Sequence, residues 1–229
     1  MRFLTLIFGT MGCGKTAEML KIINGIQEHN SRCHPRNKKN FVVFKPSLET
    51  RDDGKTITSR SGHSFKDTVI VNNITNIWNY MNEHNPDIII IDECQFFEFN
   101  KENGDLDFLR MVQALLRKEK KVVLCGLIQD CYGDEFSILS DLCPHADEII
   151  NPHTTCACGN IASRTQRLQI GYPTPIADPT IIVDNGENQD LGYSYEPRCN
   201  DCWEVPEEAH PHLALFRKTI EENKQLEKE

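Results

Sequence analysis

The chain has 229 residues, 39% of them hydrophobic and 26% charged, with a net charge of −9. That length supports one α/β unit with a core and a small appendage, and the acidic balance speaks against a nucleic-acid backbone as partner while leaving room for a small nucleotide. No apolar run approaches the ~20 residues of a bilayer span, and the apolar N-terminal stretch runs straight into a glycine loop, so the expectation is a cytoplasmic protein with no membrane partner.

Residues 3–8 read as a buried strand and residues 9–15 as a loop. From Thr16, Ala17, Leu20, Ile23 and Ile26 recur at helical spacing. Residues 31–40 form a polar loop, residues 41–45 a strand stopped by Pro46, and residues 48–66 an irregular charged stretch. Residues 68–71 are strand-like, and residues 74–83 are helical with Ile77, Tyr80 and Met81 inward. Four consecutive isoleucines, Ile88 to Ile91, leave no polar face and predict a central parallel strand. Residues 106–118 form an amphipathic helix and residues 122–126 another buried strand. This alternation predicts an α/β fold with a parallel sheet flanked by helices.

The character changes near Asn151, where paired cysteines and short β segments replace long helices. The expected division is an α/β nucleotide-binding domain over 1–150, a small metal-binding lobe with a substrate-covering loop over 151–205, and a helical tail over 206–229. Residues 212–229 read as a charged helix without a chemical signal.

Gly9, Thr10, Met11, Gly12, Cys13, Gly14, Lys15 and Thr16 fit G-x-x-x-x-G-K-[ST] at every fixed position. Glycines let backbone N–H groups converge on phosphate oxygens, and the helix starting there adds its positive dipole end. Lys15 neutralises phosphate charge and the Thr16 hydroxyl ligates Mg²⁺. Because the motif follows a strand and opens a helix, it predicts ATP binding.

Asp92 and Glu93 end the isoleucine strand, where ligands of open α/β sheets bind. Asp92 is placed to hold Mg²⁺ through water, and Glu93 to take a proton from an attacking hydroxyl. Gln95 could read the amide edge of a base, and Phe96 could stack on it.

Ten cysteines are unevenly spread. Cys156 and Cys158 form one close pair, Cys199 and Cys202 another. Four thiolates suit a closed tetrahedral, structural Zn²⁺ site that would fix a lobe too small to build its own core; free thiols and a redox pair are the rival readings.

The phosphate loop, Asp92-Glu93-Cys94-Gln95-Phe96-Phe97 and the cysteine pairs occur in one order that resembles the type II thymidine kinases, the cellular and bacterial type. The likeness runs from about residue 3 to residue 203. It includes residues 45–51, similar to K-P-x-x-D-x-R, and residues 59–62, matching S-R-x-G. It implies a P-loop NTPase-like sheet with a small C-terminal zinc-binding lobe. It also implies transfer of the γ-phosphoryl of ATP to the 5′-hydroxyl of thymidine in nucleotide salvage for DNA synthesis. By the same resemblance Glu93 is the base and Arg51 helps hold phosphate or the Mg²⁺ shell. Met11, Leu127, Thr165 and Tyr195 surround the base, Phe96 and Phe136 line its aromatic side, and the assembly is a homotetramer.

Three departures stand out. Glu49 replaces a usual Asp, Cys131 replaces a usual Phe beside the substrate, and the covering segment 182–195 looks longer than usual. They keep open a pyrimidine nucleoside kinase of altered base specificity; a P-loop ATPase acting on nucleic acid is the more distant alternative.

Overall fold

The computed structural model describes residues 2–48, 56–59, 62–98, 107–183 and 186–226. Glu49, Arg51 and Arg60 lie outside the described residues. In chain order the elements begin with β1 (Phe3–Phe8) and α1 (Lys15–Arg32), then β2 (Phe41–Pro46), β3 (Ile57–Thr58), β4 (Ser64–Phe65), β5 (Thr68–Val71) and α2 (Ile74–His84). They continue with β6 (Ile88–Ile91), α3 (Phe108–Arg117), β7 (Lys121–Gly126), α4 (Ser137–Ser140) and β8 (Glu148–Ile150). The last are β9 (Arg164–Gln169), β10 (Tyr172–Pro173), α5 (Gly186–Asp190), β11 (Tyr193–Arg198) and α6 (Pro211–Leu226).

Six strands form one sheet in the order β5-β2-β6-β7-β1-β8, and every pairing in it is parallel. The isoleucine strand β6 sits between β2 and β7 and is buried along its whole length. Each fully buried Ile there contributes roughly 1.5–3 kcal/mol of apolar transfer. One face of the sheet packs on α2 and α3 through Ile77, Met81, Met111 and Leu115. The other packs on α1 through Met19, Leu20 and Ile23. Helix α2 is started by Asn73, whose side chain accepts from the Asn76 amide, and stopped by Asn85 at φ 46; both are the cap positions such residues favour.

Some expectations needed correction. Helix α1 extends through Arg32, into the predicted loop. Pro46 ends β2 but still pairs with Val71. Within the stretch read as irregular, β3 and β4 form a small antiparallel hairpin, fixed by burial of Ile57 and Phe65 against α1 and the sheet. Strand β8 was not expected; it is a short edge strand with little apolar signal. The tail is a docked helix rather than a featureless one: Leu213 is fully buried, and His210, just ahead of it, stacks on Tyr172 at 4.0 Å.

Beyond β8 the chain forms a three-stranded antiparallel sheet, β10-β9-β11. Its own apolar cluster amounts to Cys156, Ala162 and Cys199, with Cys202 against them. No helix among the described residues is long and apolar enough to cross a membrane.

Candidate active site

Strands β6, β7 and β1 are neighbours, and their carboxyl ends carry Asp92–Glu93, Leu127 and the glycine loop respectively. The parallel fold therefore gathers three separate sequence signals at one edge of the sheet, where ligands of open α/β sheets bind.

The glycine loop leads into α1 through Gly14, whose φ of 98 is a left-handed conformation that a side chain would strain. Lys15 is buried, and its ammonium donates to the carbonyls of Thr10 at 2.8 Å and Gly9 at 3.3 Å. The Met11 amide donates to the Thr165 hydroxyl at 3.0 Å, tying the loop tip to β9.

Glu93 adopts φ 45, a left-handed conformation that costs a non-glycine residue about 1–3 kcal/mol. Its surroundings hold it there. The Glu93 amide donates to Asp92 Oδ1 at 3.0 Å, and Glu93 Oε2 accepts from Gln95 Nε2 at 2.7 Å. Gln95 Oε1 in turn accepts from the Leu127 amide at 3.0 Å. Gln95, expected to read the amide edge of a base, is only 1% exposed. Both ends of this amide are engaged within the protein, and Gln95 joins Glu93 to the end of β7. A Cβ at Gly126 would lie 2.5 Å from Gln95 Oε1, so a glycine is needed there for the side chain to pass. Asp92 is itself buried behind Glu93.

A cavity of about 340 Å³ opens in front of these groups, within the usual range for a small-molecule site. Every residue expected to contact the nucleoside lines it: Met11, Phe96, Leu127, Phe136, Thr165 and Tyr195. Gly12, Gly14, Lys15, Thr16, Glu93 and Gln95 line it too. Gly9, Thr10, Cys13 and Asp92 are not among its lining residues. Cys131 is on the wall as expected, and burial pushes its thiol up to about 11. Sequence reasoning missed Thr58, Asp130, Thr180 and Ile181. The run Ile181-Ile182-Val183 among polar residues was an available signal, since so apolar a stretch wants a surface to cover.

Residues 179 and 180, just ahead of the covering segment, are held by Arg167 on β9, a fully buried arginine. Its guanidinium donates to the Pro179 carbonyl at 2.6 Å, the Thr180 carbonyl at 3.3 Å, the Thr174 hydroxyl at 3.0 Å and the Tyr132 hydroxyl. Tyr195 donates to the Ile182 carbonyl at 2.5 Å. Among the described residues no carboxylate pairs with Arg167, and its burial is tolerable because carbonyls and hydroxyls satisfy the donors.

The four cysteine sulfurs of Cys156, Cys158, Cys199 and Cys202 lie within 4.8 Å of one another, and none forms a disulfide. Tetrahedral Zn–S bonds of ~2.3 Å space their sulfurs by about 3.8 Å, so the donor set fits zinc. Next to this cluster, Trp203 Nε1 donates to the Cys131 carbonyl at 3.1 Å, and Arg164 donates to Gln129 at 3.0 Å. The cysteine cluster thereby braces the loop that forms one wall of the cavity.

The sequence profile described as thymidine kinase matches residues 2–203. The chain is also 35% identical over 216 residues to the thymidine kinase of Coprothermobacter proteolyticus, covering 94% of this chain and 96% of that protein. A phosphate loop, a carboxylate held at a strand end and a cysteine-braced cavity thus coincide with likeness over nearly the whole chain, and the chain belongs to the thymidine kinase family.

Proposed function

We propose that Glu93 is the base of the thymidine kinase reaction, in which the γ-phosphoryl of ATP passes to the 5′-hydroxyl of thymidine and leaves dTMP and ADP. The observation that carries this role is the fixed carboxylate: Glu93 faces the cavity from a left-handed backbone held by Asp92, while Gln95 grips its side chain. A base held in one orientation takes its proton without first losing side-chain freedom.

Lys15 leaves the Gly9 and Thr10 carbonyls to bond phosphate oxygens, exchanging neutral acceptors for charged ones. Amides of residues 12–16 converge on the same phosphates. Mg²⁺, bound by the Thr16 hydroxyl and through water by Asp92, would neutralise charge on the transferring group. Arg51, outside the described residues, is assigned to the phosphates by family resemblance. Met11, Leu127, Phe96, Phe136, Thr165 and Tyr195 form the nucleoside wall, with the backbone of the covering segment bonding the polar edge of the base. Zn²⁺ held by Cys156, Cys158, Cys199 and Cys202 would supply rigidity and no chemistry, because four protein ligands leave no open position. The division into 1–150, 151–205 and 206–229, a cytoplasmic location and a homotetramer belong to the same reading, the last on resemblance alone.

The family match does not favour a nucleic-acid-directed ATPase or a kinase of altered base preference. Incubation with Mg-ATP and thymidine, with deoxyuridine, deoxycytidine and no nucleoside in parallel, is expected to yield dTMP as the main product. Transfer to another nucleoside but not thymidine would reassign the base preference. No transfer at all, from protein shown to bind ATP, would overturn the assignment.

A further inference from the structure

Helix α6 lies beyond the residues that match the family profile, yet it bonds Asp178, two residues ahead of the cavity-lining Thr180. Arg217 donates from Nη1 to Asp178 Oδ1 at 2.8 Å and from Nη2 to Asp178 Oδ2 at 2.5 Å. Its Nε donates to Gln169 Oε1 at 2.7 Å, and Gln169 Nε2 donates onward to the Leu191 carbonyl at 3.0 Å. Asp178 stands just before the cavity-lining residues Thr180, Ile181, Ile182 and Val183. Leu191 stands just after α5. One guanidinium therefore ties Asp178 directly, and Leu191 through Gln169, to the same helix. Residues 178–180 are gripped twice, by Arg167 through the Pro179 and Thr180 carbonyls and by Arg217 through Asp178.

The contact is more than helix anchoring. Leu213 burial and the Tyr172–His210 stack already dock α6, so the helix has other means to hold its place. The two-pronged pairing is also the strong, directional form of an arginine–carboxylate contact. We propose that Arg217 is a positioning residue for thymidine, holding residues 180–183 against the cavity through Asp178 and Leu191 in place through Gln169. The proposal rests on the reading of residues 180–183 as nucleoside wall. When the latch is cut, residues 180–183 leave the wall more often, and apparent affinity falls by the fraction of molecules in which they stay in place.

The test is steady-state kinetics of Arg217→Ala, Arg217→Lys and Asp178→Asn in the full-length, zinc-replete protein, with Ile182→Asp as a wall variant. If the fraction with residues 180–183 in place drops to about a tenth, KM for thymidine rises about tenfold, with KM for ATP unchanged. Arg217→Lys falls between, keeping the charge but not the two-pronged geometry. Hydrogen exchange quickens at the amides of residues 180–183 and not in β1 or β7. Asp178→Asn reproduces Arg217→Ala and serves in its place if that variant does not fold. An unchanged thymidine KM and unchanged exchange in the Arg217 and Asp178 variants, with Ile182→Asp impaired, would sink the latch and leave the wall reading standing. If Ile182→Asp is also unimpaired, the wall reading fails and the latch with it.

Discussion

The two ends of the cavity are built by different physics. The end proposed to hold phosphate rests on a six-stranded parallel sheet with helices on both faces and two large apolar clusters. The end proposed to hold the nucleoside rests on a three-stranded sheet whose apolar cluster amounts to three buried residues. What holds it are discrete polar fastenings: four cysteines, the buried Arg167, and Gln166 bonding both the amide and the carbonyl of Glu204. Apolar burial is spread over many contacts and fails gradually. Fastenings are few, and each can be cut alone.

Removing zinc, by chelation followed by Mg²⁺ repletion or by Cys199→Ser, is the harshest way to break this contrast. It should abolish thymidine binding while ATP binding persists, because for small sites of this kind metal binding is folding energy. Paired titrations with ATP and thymidine would show it; parallel loss of both ligands would mean the ends are not separable. Arg167→Met should come next, costing about 1–3 kcal/mol for each buried carbonyl left without its donor. Urea unfolding would measure this, and a cost near zero would remove Arg167 from the list of fastenings.

Gln95→Ala sharpens the contrast from the other side, since it disturbs the seam between β6 and β7 without touching the cysteine region. It should lower kcat about tenfold, equivalent to ~1.4 kcal/mol, with little change in KM for either substrate. An equal loss in KM would mean that Gln95 serves binding rather than the orientation of Glu93.

The smallest effect is on alkaline stability. Burial raises the Cys131 thiol from 9.0 to about 11 and the Tyr132 hydroxyl from 10.0 to about 12. Between those limits the folded chain keeps protons that the unfolded chain gives up. Unfolding then releases protons, and stability falls as pH rises. Tm should decline from pH 9 toward pH 11, less steeply in Cys131→Ala; an equal slope would remove Cys131 as a contributor.

The same contrast governs what the sequence discloses. The phosphate loop is a run of neighbours, the isoleucines of β6 declare a central strand without outside help, and the cysteine pairs are readable by spacing. All three depend on local pattern, and the structure brings the first two to one edge of the sheet. Strand β8 has no such pattern, being three residues with one side chain half covered. The β3–β4 hairpin is set by two buried residues inside a polar stretch. The fastenings are hidden for a further reason, since each joins residues far apart: Gln95 to Leu127, Arg167 to Thr180, Arg217 to Asp178. A glutamine that bonds a neighbouring carboxylate and one that reads a nucleobase are the same letter. Only the partner atoms tell them apart.

The account turns on Glu93, and its most direct test is turnover of Glu93→Gln with Mg-ATP and thymidine. The amide keeps the size of the side chain and a hydrogen bond to Gln95 but cannot take a proton. The account predicts kcat lower by ~10²-fold or more, with ATP binding near that of the unaltered protein. Undiminished turnover would contradict it and remove Glu93 from the role of base.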